Sequence, residues 1–435
     1  MESKLPKKIV LDEAEPTAEQ EKGISTTPHC RFCEAPLRHT FVDLGMSPLC
    51  ESYLTADQLN GMEPFYPLNV KVCEECFLVQ LEQYVSAEHI FTEYAYFSSY
   101  SDSWLKHASN YVDMISERFA LEPRSLAVEL GSNDGYLLQY FVKKGIPVLG
   151  VEPAVNVAKV AEQKGVSTLV SFFGCQTARQ MVADHQTADL VVGNNVLAQV
   201  PDLNDFVGGI RILLKPKGVA TLEFPHLERL MAENQYDTIY HEHFSYFSLI
   251  TVEKIFASHG LVLFDVDEIT THGGSIRIYI RQVEDTSKPV TPAVVSLRER
   301  ELAAGLDRME TYTTFAEQVM ESKRALLELL IRLRREGKRI AGYGAPGKGN
   351  TLLNYCGIRT DFLEFTVDRN PYKHGRFLPG THIPIHSPER IRECRPDYIL
   401  ILPWNLKAEI LGQLAYARQW GAKFIVPIPM AALLD

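Results

Sequence analysis

No apolar run in the 435 residues reaches the roughly 20 residues that a membrane-spanning helix requires, so no membrane partner is expected. The opening two dozen residues have no apolar core and no small-residue cleavage site. They read as a disordered tail over 1–27 rather than a secretory leader, and the expected location is cytoplasmic. A basic excess is missing as well: 44 Lys and Arg stand against 55 Asp and Glu, a net charge of −11. That balance argues against nucleic acid as a partner, because such binding rests on neutralising phosphates. Half of the eight cysteines have no partner at a meaningful spacing; Cys50, Cys175, Cys356 and Cys394 read as ordinary buried residues. What remains is a chain that is 46% apolar and 23% charged, ordinary for globular domains, and long enough for two or three of them.

The other four cysteines do have a pattern. Cys30-Arg31-Phe32-Cys33 and Cys73-Glu74-Glu75-Cys76 are two C-x-x-C knuckles, each of which turns two sulfurs to one side. Together they suit tetrahedral Zn²⁺, and a closed four-sulfur shell makes the site structural. Chance pairing or redox use is the alternative.

A nucleotide-binding unit follows. Apolar spacing from Ser103 to Ala120 predicts a helix; Ser125 to Leu130 reads as a buried strand, Gly131-Ser132-Asn133-Asp134-Gly135 as a turn, and Tyr136 to Lys144 as a helix. The turn has the form E-x-G-x-x-x-G, beginning at Glu129, and not the G-x-G-x-x-G that receives a pyrophosphate. S-adenosylmethionine fits it better, with Glu129, Gly131, Asn133, Asp134, Gly135 and Asn194 around the cofactor. Glu152 ends the next strand about twenty residues on, where this architecture bonds ribose hydroxyls. Another nucleotide in a doubly wound domain is the competing reading. Asn195 and Gln199 leave a later strand at its carboxyl end and are expected to touch substrate. Lys215-Pro216-Lys217-Gly218 reads as a turn before a strand from Val219 to Phe224.

Tyr240-His241-Glu242-His243-Phe244-Ser245-Tyr246-Phe247 gathers titratable groups among aromatic rings, a setting that supplies proton donors and acceptors. His243 is expected to be a general base, assisted by Glu242, Tyr240 and Tyr94. If this stretch is a strand, His241 and His243 point to the same side, so His241 is a second candidate base or substrate contact. A His-x-His metal pair and a satisfied structural patch are the alternatives. Tyr94 and Tyr96 come from a tyrosine-rich segment over 89–100, and a packing role there is open too.

Thr291 to Gly337 reads as helical throughout, a connector. A strand and glycine-rich turn from Arg339 to Thr351 follow, then strands Leu363 to Val367 and Tyr398 to Leu402, implying a second α/β sheet. The order G-x-x-x-x-G-K-[ST] is absent from Gly347-Lys348-Gly349-Asn350-Thr351, which excludes a P-loop. Lys348 at a helix start reads as a diphosphate clamp or a surface lysine on a tight turn.

The two knuckles, the E-x-G-x-x-x-G turn, Glu242-His243-Phe244 and His272-Gly273-Gly274-Ser275, in this order, resemble the nucleotide-sugar C-methyltransferases. The resemblance runs from Cys30 onward. It implies an α/β protein: a Rossmann-like S-adenosylmethionine methyltransferase domain (88–288), preceded by a zinc-binding module (28–87) and followed by a helical connector and second Rossmann-like domain (289–435). It further implies methyl transfer to carbon of a nucleotide-linked keto-deoxysugar, dTDP-linked by first expectation, with Tyr96, His241, Tyr343, Lys348 and Asn350 joining Asn195 and Gln199 at the substrate. Some members have a histidine where this chain has Gln199. A monomer is expected. The competing functions are a non-catalytic zinc-bearing nucleotide sensor and an O- or N-methyltransferase.

Overall fold

The computed structural model describes residues 27–91 and 97–434; Tyr94 and Tyr96 lie outside the described residues. Three sheets organise the chain. The largest has seven strands in the spatial order Leu261–Ile269, Ser275–Gln282, Leu214–Pro225, Ala188–Asn194, Ala127–Leu130, Val148–Val151, Thr168–Leu169. Only Ser275–Gln282 runs antiparallel to its neighbours. From Ala127–Leu130 the chain winds outward through two strands on one side, then crosses back to Ala188–Asn194 on the other. That reversal opens a crevice at the carboxyl ends of the two strands, which is where such sheets bind ligands. The strands are apolar because both faces are covered: Val128, Leu130, Leu190, Val191 and Val192 are fully buried.

The N-terminal module is a four-stranded antiparallel sheet, His39–Ser47, Tyr66–Val72, Val79–Leu81 and Ser245–Tyr246. Its last strand comes from far along the chain, directly after the histidine cluster. The third sheet is parallel through Ile385–His386, Thr366–Val367, Ile340–Tyr343, Tyr398–Ile401 and Lys423–Val426, with Ala432–Leu434 antiparallel at its edge. One apolar cluster runs from the N-terminal sheet (Phe41, Val70) into this sheet (Ile340, Leu400), so the two modules share a core.

Three local expectations change. The connector is three helices, Pro292–Ala303, Met309–Thr313 and Phe315–Arg335, broken after the first at Gly305, whose φ of +81° is left-handed. Residues 215–218 belong to the strand Leu214–Pro225 rather than to a turn, because a register shift opposite Ala188 and Leu190 absorbs Pro216 at the exposed end. Residues 240–244 form a turn, with His243 N bonded to the Tyr240 carbonyl at 2.8 Å, so the strand alternation that would align His241 with His243 does not apply. Among the described residues, no helix is long and apolar enough to cross a membrane.

Candidate active site and zinc centre

The four knuckle cysteines converge as their spacing predicts. Sγ of Cys30 lies 3.6 Å from that of Cys76, Cys33 lies 3.5 Å from Cys73, and all four ligand atoms fall within 4.8 Å of one another. A tetrahedron with Zn–S of about 2.3 Å has S···S edges of about 3.8 Å, so the donor set fits zinc without rearrangement. The thiols share their hydrogen bonds, which lower the pKa of Cys30 and raise those of Cys73 and Cys76; a bound metal would instead hold all four as thiolates.

The crevice of the seven-stranded sheet contains the expected cofactor residues. Gly131 and Gly135 have φ of +66° and +72°, and a Cβ on Gly131 would stand 3.1 Å from Val196, so the turn needs glycine at both. Both amide atoms of Asn194, Ser132 Oγ, Asp134 Oδ1 and Asn195 Oδ1 are buried without a hydrogen-bond partner among the described residues. Burial drives the Glu129 pKa well above the carboxylate range; the Tyr136 hydroxyl opposes this, and the carboxylates of Glu152, Asp134 and Glu223 add to it. Such a concentration of unpaired polar atoms is costly unless a ligand completes it. A ligand with a cationic amino group, a carboxylate and a ribose supplies the missing partners, which is the polar make-up of S-adenosylmethionine. Glu152 stands at the end of Val148–Val151 as expected, but each of its oxygens already accepts a backbone amide, Asn133 N at 2.8 Å and Ala154 N at 2.9 Å.

Beyond Asn194 lies the histidine cluster. Nδ1 of His243 is 2.9 Å from the Thr238 carbonyl; a carbonyl only accepts, so Nδ1 holds the proton and Nε2 presents a lone pair. Burial lowers the His243 pKa to about 4, the Thr238 bond opposing and the Lys348 charge adding. The Tyr240 ring lies 4.0 Å from the imidazole, centre to centre. Glu242 Oε1 receives the Cys50 thiol at 3.5 Å. His241 faces elsewhere: its described contacts are with Tyr66, by a 3.3 Å bond to the carbonyl and an edge-on ring contact, and with the Pro67 backbone. Gln199 adjoins Ala198, whose carbonyl takes Phe244 N at 2.7 Å. Asn195 Nδ2 donates to His272 Nε2 at 2.9 Å.

The C-terminal residues divide. Lys348 reaches into the interior, its Nζ 3.1 Å from Asn405 Oδ1 and 4.8 Å from the Trp404 ring centre. Asn350 is buried with both amide atoms unpaired among the described residues. Tyr343 is turned to Gln413, at 2.6 Å. Cys50, Asp237, His272, Trp404 and Asn405 were assigned no role from sequence. Each is isolated locally, and only the packing of three modules brings them to this place.

Family models match along the whole architecture: a methyltransferase zinc binding domain over 30–91, a methyltransferase domain over 104–266 and a C-methyltransferase C-terminal domain over 270–429. C-methyltransferase NovU of Streptomyces niveus is 38% identical over 400 residues, covering 92% of this chain and 95% of its own. A ubiquinone biosynthesis O-methyltransferase of Rhodopseudomonas palustris (strain HaA2) is 28% identical over 93 residues, 21% of this chain and 36% of its own. Among solved structures, the PH0226 protein of Pyrococcus horikoshii OT3 aligns at 15% identity with a TM-score of 0.36, over 46% of this chain and 99% of its own. Similarity to NovU along nearly the full length, with all three family models in order, shows that this chain belongs to the C-methyltransferase family, as an S-adenosylmethionine-dependent C-methyltransferase with a zinc-binding module.

Proposed function

We infer that the enzyme methylates a carbon beside the ketone of a nucleotide-linked keto-deoxysugar, dTDP-linked by first preference, through an enolate formed by His243. The observation that carries this reading is the state of His243: its Nδ1 proton is tied to Thr238 and its Nε2 is unprotonated within a buried cluster. A hydrogen beside a carbonyl is acidic because its removal places charge on oxygen, so the step needs a neutral base and donors to that oxygen. Tyr240, whose ring lies tilted 4.0 Å from the imidazole, is assigned the donor role. Glu242, which accepts the Cys50 thiol, is assigned to a sugar hydroxyl. Asn195 and Gln199, on either side of the segment that pairs with Phe244, fit the sugar side of the crevice. Bound S-adenosylmethionine supplies a methyl group made electrophilic by its sulfonium; the chain's task is to align acceptor carbon and donor. Glu129, Glu152 and Asn194 are assigned to the cofactor, and a monomer contains all of these groups.

The test incubates the enzyme with labelled S-adenosylmethionine and a panel of dTDP-, GDP- and CDP-linked keto-sugars, following methyl transfer and exchange of the α-hydrogen with solvent deuterium. His243→Asn should abolish both and leave cofactor binding intact. Exchange at the wild-type rate in that variant would remove His243 as the base, and methyl appearing on oxygen or nitrogen would remove the carbon chemistry.

A further inference from the structure

The half-buried ammonium of Lys348 is the feature that a diphosphate clamp does not explain. The helix it opens, Gly347–Cys356, does not face an open anion site: a Cβ on Gly347 would meet Cys50 Sγ at 2.9 Å and Glu51 Oε1 at 3.6 Å. A diphosphate there would have to displace a carboxylate. The side chain of Lys348 instead lies along Trp404 and Asn405. Trp404 is fixed from two directions. Its Nε1 donates to Asp237 Oδ2 at 2.6 Å, and its ring edge lies where a Cβ of Gly273 would be, 2.6 Å away, beside His272. Asp237 is the residue before Thr238, whose carbonyl orients His243. Two consecutive residues therefore hold the base and the platform under the lysine. The helix is locked to the same segment by Thr351 Oγ1 on the Ile239 carbonyl at 2.9 Å.

We propose that Lys348 is a catalytic residue of the reaction centre, placed by Asp237, Trp404 and Asn405 to carry the negative charge that forms on the substrate's carbonyl oxygen. The proposal rests on the enolate reading above. His243 Nε2 takes the α-proton, the C–H pair becomes the carbon–carbon double bond, and the carbonyl π pair moves onto oxygen, where the ammonium donates to it. The enolate carbon then takes the methyl group as the carbon–sulfur bond breaks with its pair going to sulfur; the carbonyl re-forms and the imidazolium loses its proton to water. A cation held in place before the reaction and partly withdrawn from solvent is worth more to such an oxyanion than one free in solvent. The electrostatics are consistent with this placement. Lys348 is the largest charge acting on both His243 and His272, lowering each, while Asp237 opposes the loss of the lysine's own proton.

Lys348→Met and Lys348→Arg test this against a binding role. With the keto-sugar of the panel that wild type exchanges fastest, Lys348→Met should lower both kcat and α-exchange at saturation by about 100-fold or more, with KM nearly unchanged, as for loss of one oxyanion donor. Lys348→Arg should recover part of the loss. A raised KM with kcat and exchange intact would make the residue a diphosphate contact and overturn the proposal. A measurement without substrate separates this from failure of the enolate reading. In ¹⁵N-histidine spectra, the His243 ring should titrate at higher pH in Lys348→Met than in wild type, while cofactor binding and melting stay unaltered. An unmoved His243 titration would show that the ammonium does not face the base and would likewise overturn it.

Discussion

The two α/β sheets each present a strand, a glycine turn and a helix, built on one plan and filled differently. In the first, Glu152 at the end of the neighbouring strand accepts Asn133 N at 2.8 Å and Ala154 N at 2.9 Å. In the second, Asp368 in the equivalent place accepts Ala345 N at 2.7 Å and Asn370 N at 2.8 Å. Among the described residues the first turn is left with unpaired atoms on Ser132 and Asp134, with Asn194 beside it. The second is closed by the protein itself, since the Ala345 carbonyl takes Tyr53 Oη at 2.7 Å and Lys373 Nζ at 2.8 Å, and Glu51 stands at the helix start. Gly342-Tyr343-Gly344-Ala345-Pro346-Gly347 even has the G-x-G-x-x-G spacing between strand and helix, yet a carboxylate occupies the pyrophosphate position. A glycine turn thus indicates a nucleotide-type fold; among the described residues the first turn leaves unpaired atoms in the turn itself, on Ser132 and Asp134, whereas at the second they lie on Asn350 in the helix and on Glu51 Oε2 from the N-terminal module.

The sharpest way to separate the turns is to remove the module that closes only one of them. Cys73→Ser should eliminate the one zinc per chain and unfold 28–87, because a structural site supplies about 10 kcal/mol or more of local folding energy. With it go Tyr53 and Glu51 from the second turn, Cys50 from Glu242, and the sheet partner of Ser245–Tyr246. Methyl transfer should fall below detection while S-adenosylmethionine still binds by calorimetry, since the described contacts of the 131–135 turn lie within the seven-stranded domain and residues 98–99. Loss of cofactor binding alongside zinc, or a well-folded metal-free wild type, would break the comparison.

Acid and base should then act on opposite sides. His243 is depressed from 6.5 to about 4 and His272 to about 3, each first by burial. Below pH 6.5 the unfolded chain therefore binds more protons than the native one, so their stabilisation is complete above pH 6.5 and lost as pH falls toward 4 and 3. For His243 this is about 3 kcal/mol. Asp237, raised to about 6, partly offsets this, being most stabilising below 3.8 and losing its contribution as pH rises through 6. Glu129 and Glu152, both raised mainly by burial, make the cofactor turn of the ligand-free protein weaken as pH rises above about 4.5. Amide exchange at pH 5 and pH 8 should show the 236–246 segment opening more at the lower value and the 129–135 turn at the higher; identical profiles would refute the assignment.

How much of this the sequence discloses follows from the range of each interaction. The zinc site is two turns of four residues, so each half is local and only their meeting is tertiary. The first glycine turn is likewise legible as structure, because Glu129, Gly131 and Gly135 belong to one strand–turn–helix and Glu152 follows the next strand. The proposed reaction centre is local in composition but not in geometry. Its titratable residues stand together in sequence, but residues 240–244 turn rather than extend, which sends His241 to Tyr66 and His243 to Thr238. Lys348 was visible and its direction was not, since that depends on Trp404 and on Asp237, separated from each other by 167 positions. Cys50 was set aside for want of a nearby cysteine, although its partner is a carboxylate 192 residues away.

The matched carboxylates allow a finer test. Glu152→Ala removes the acceptor of two turn amides together with the expected ribose contact, and should weaken S-adenosylmethionine by roughly 1.5–3 kcal/mol, the value of one charge-assisted hydrogen bond or two partial ones. Asp368→Ala makes the equivalent cut in the second turn. It should leave cofactor affinity unchanged by calorimetry and lower the melting temperature instead. Equal losses of affinity in both variants would mean that the cofactor is not confined to the first turn.

The smallest expected effect probes the closed turn alone. Tyr53→Phe deletes one neutral hydrogen bond to the Ala345 carbonyl, which keeps its second donor, Lys373 Nζ. No buried acceptor is left bare, so the cost belongs near the low end of the range for a neutral bond, about 0.5–1 kcal/mol. Deleting the lysine as well changes the situation, because the carbonyl then has neither side-chain donor and the desolvation cost is felt in full. Tyr53→Phe with Lys373→Met should therefore destabilise by about 1 kcal/mol more than the two single changes added together, a coupling expected where both donors serve one acceptor. Melting temperature reads the stability, and the S-adenosylmethionine dissociation constant serves as the control. If the pair is merely additive, water can reach the Ala345 carbonyl once its donors are gone, and the second turn is as open to a ligand as the first.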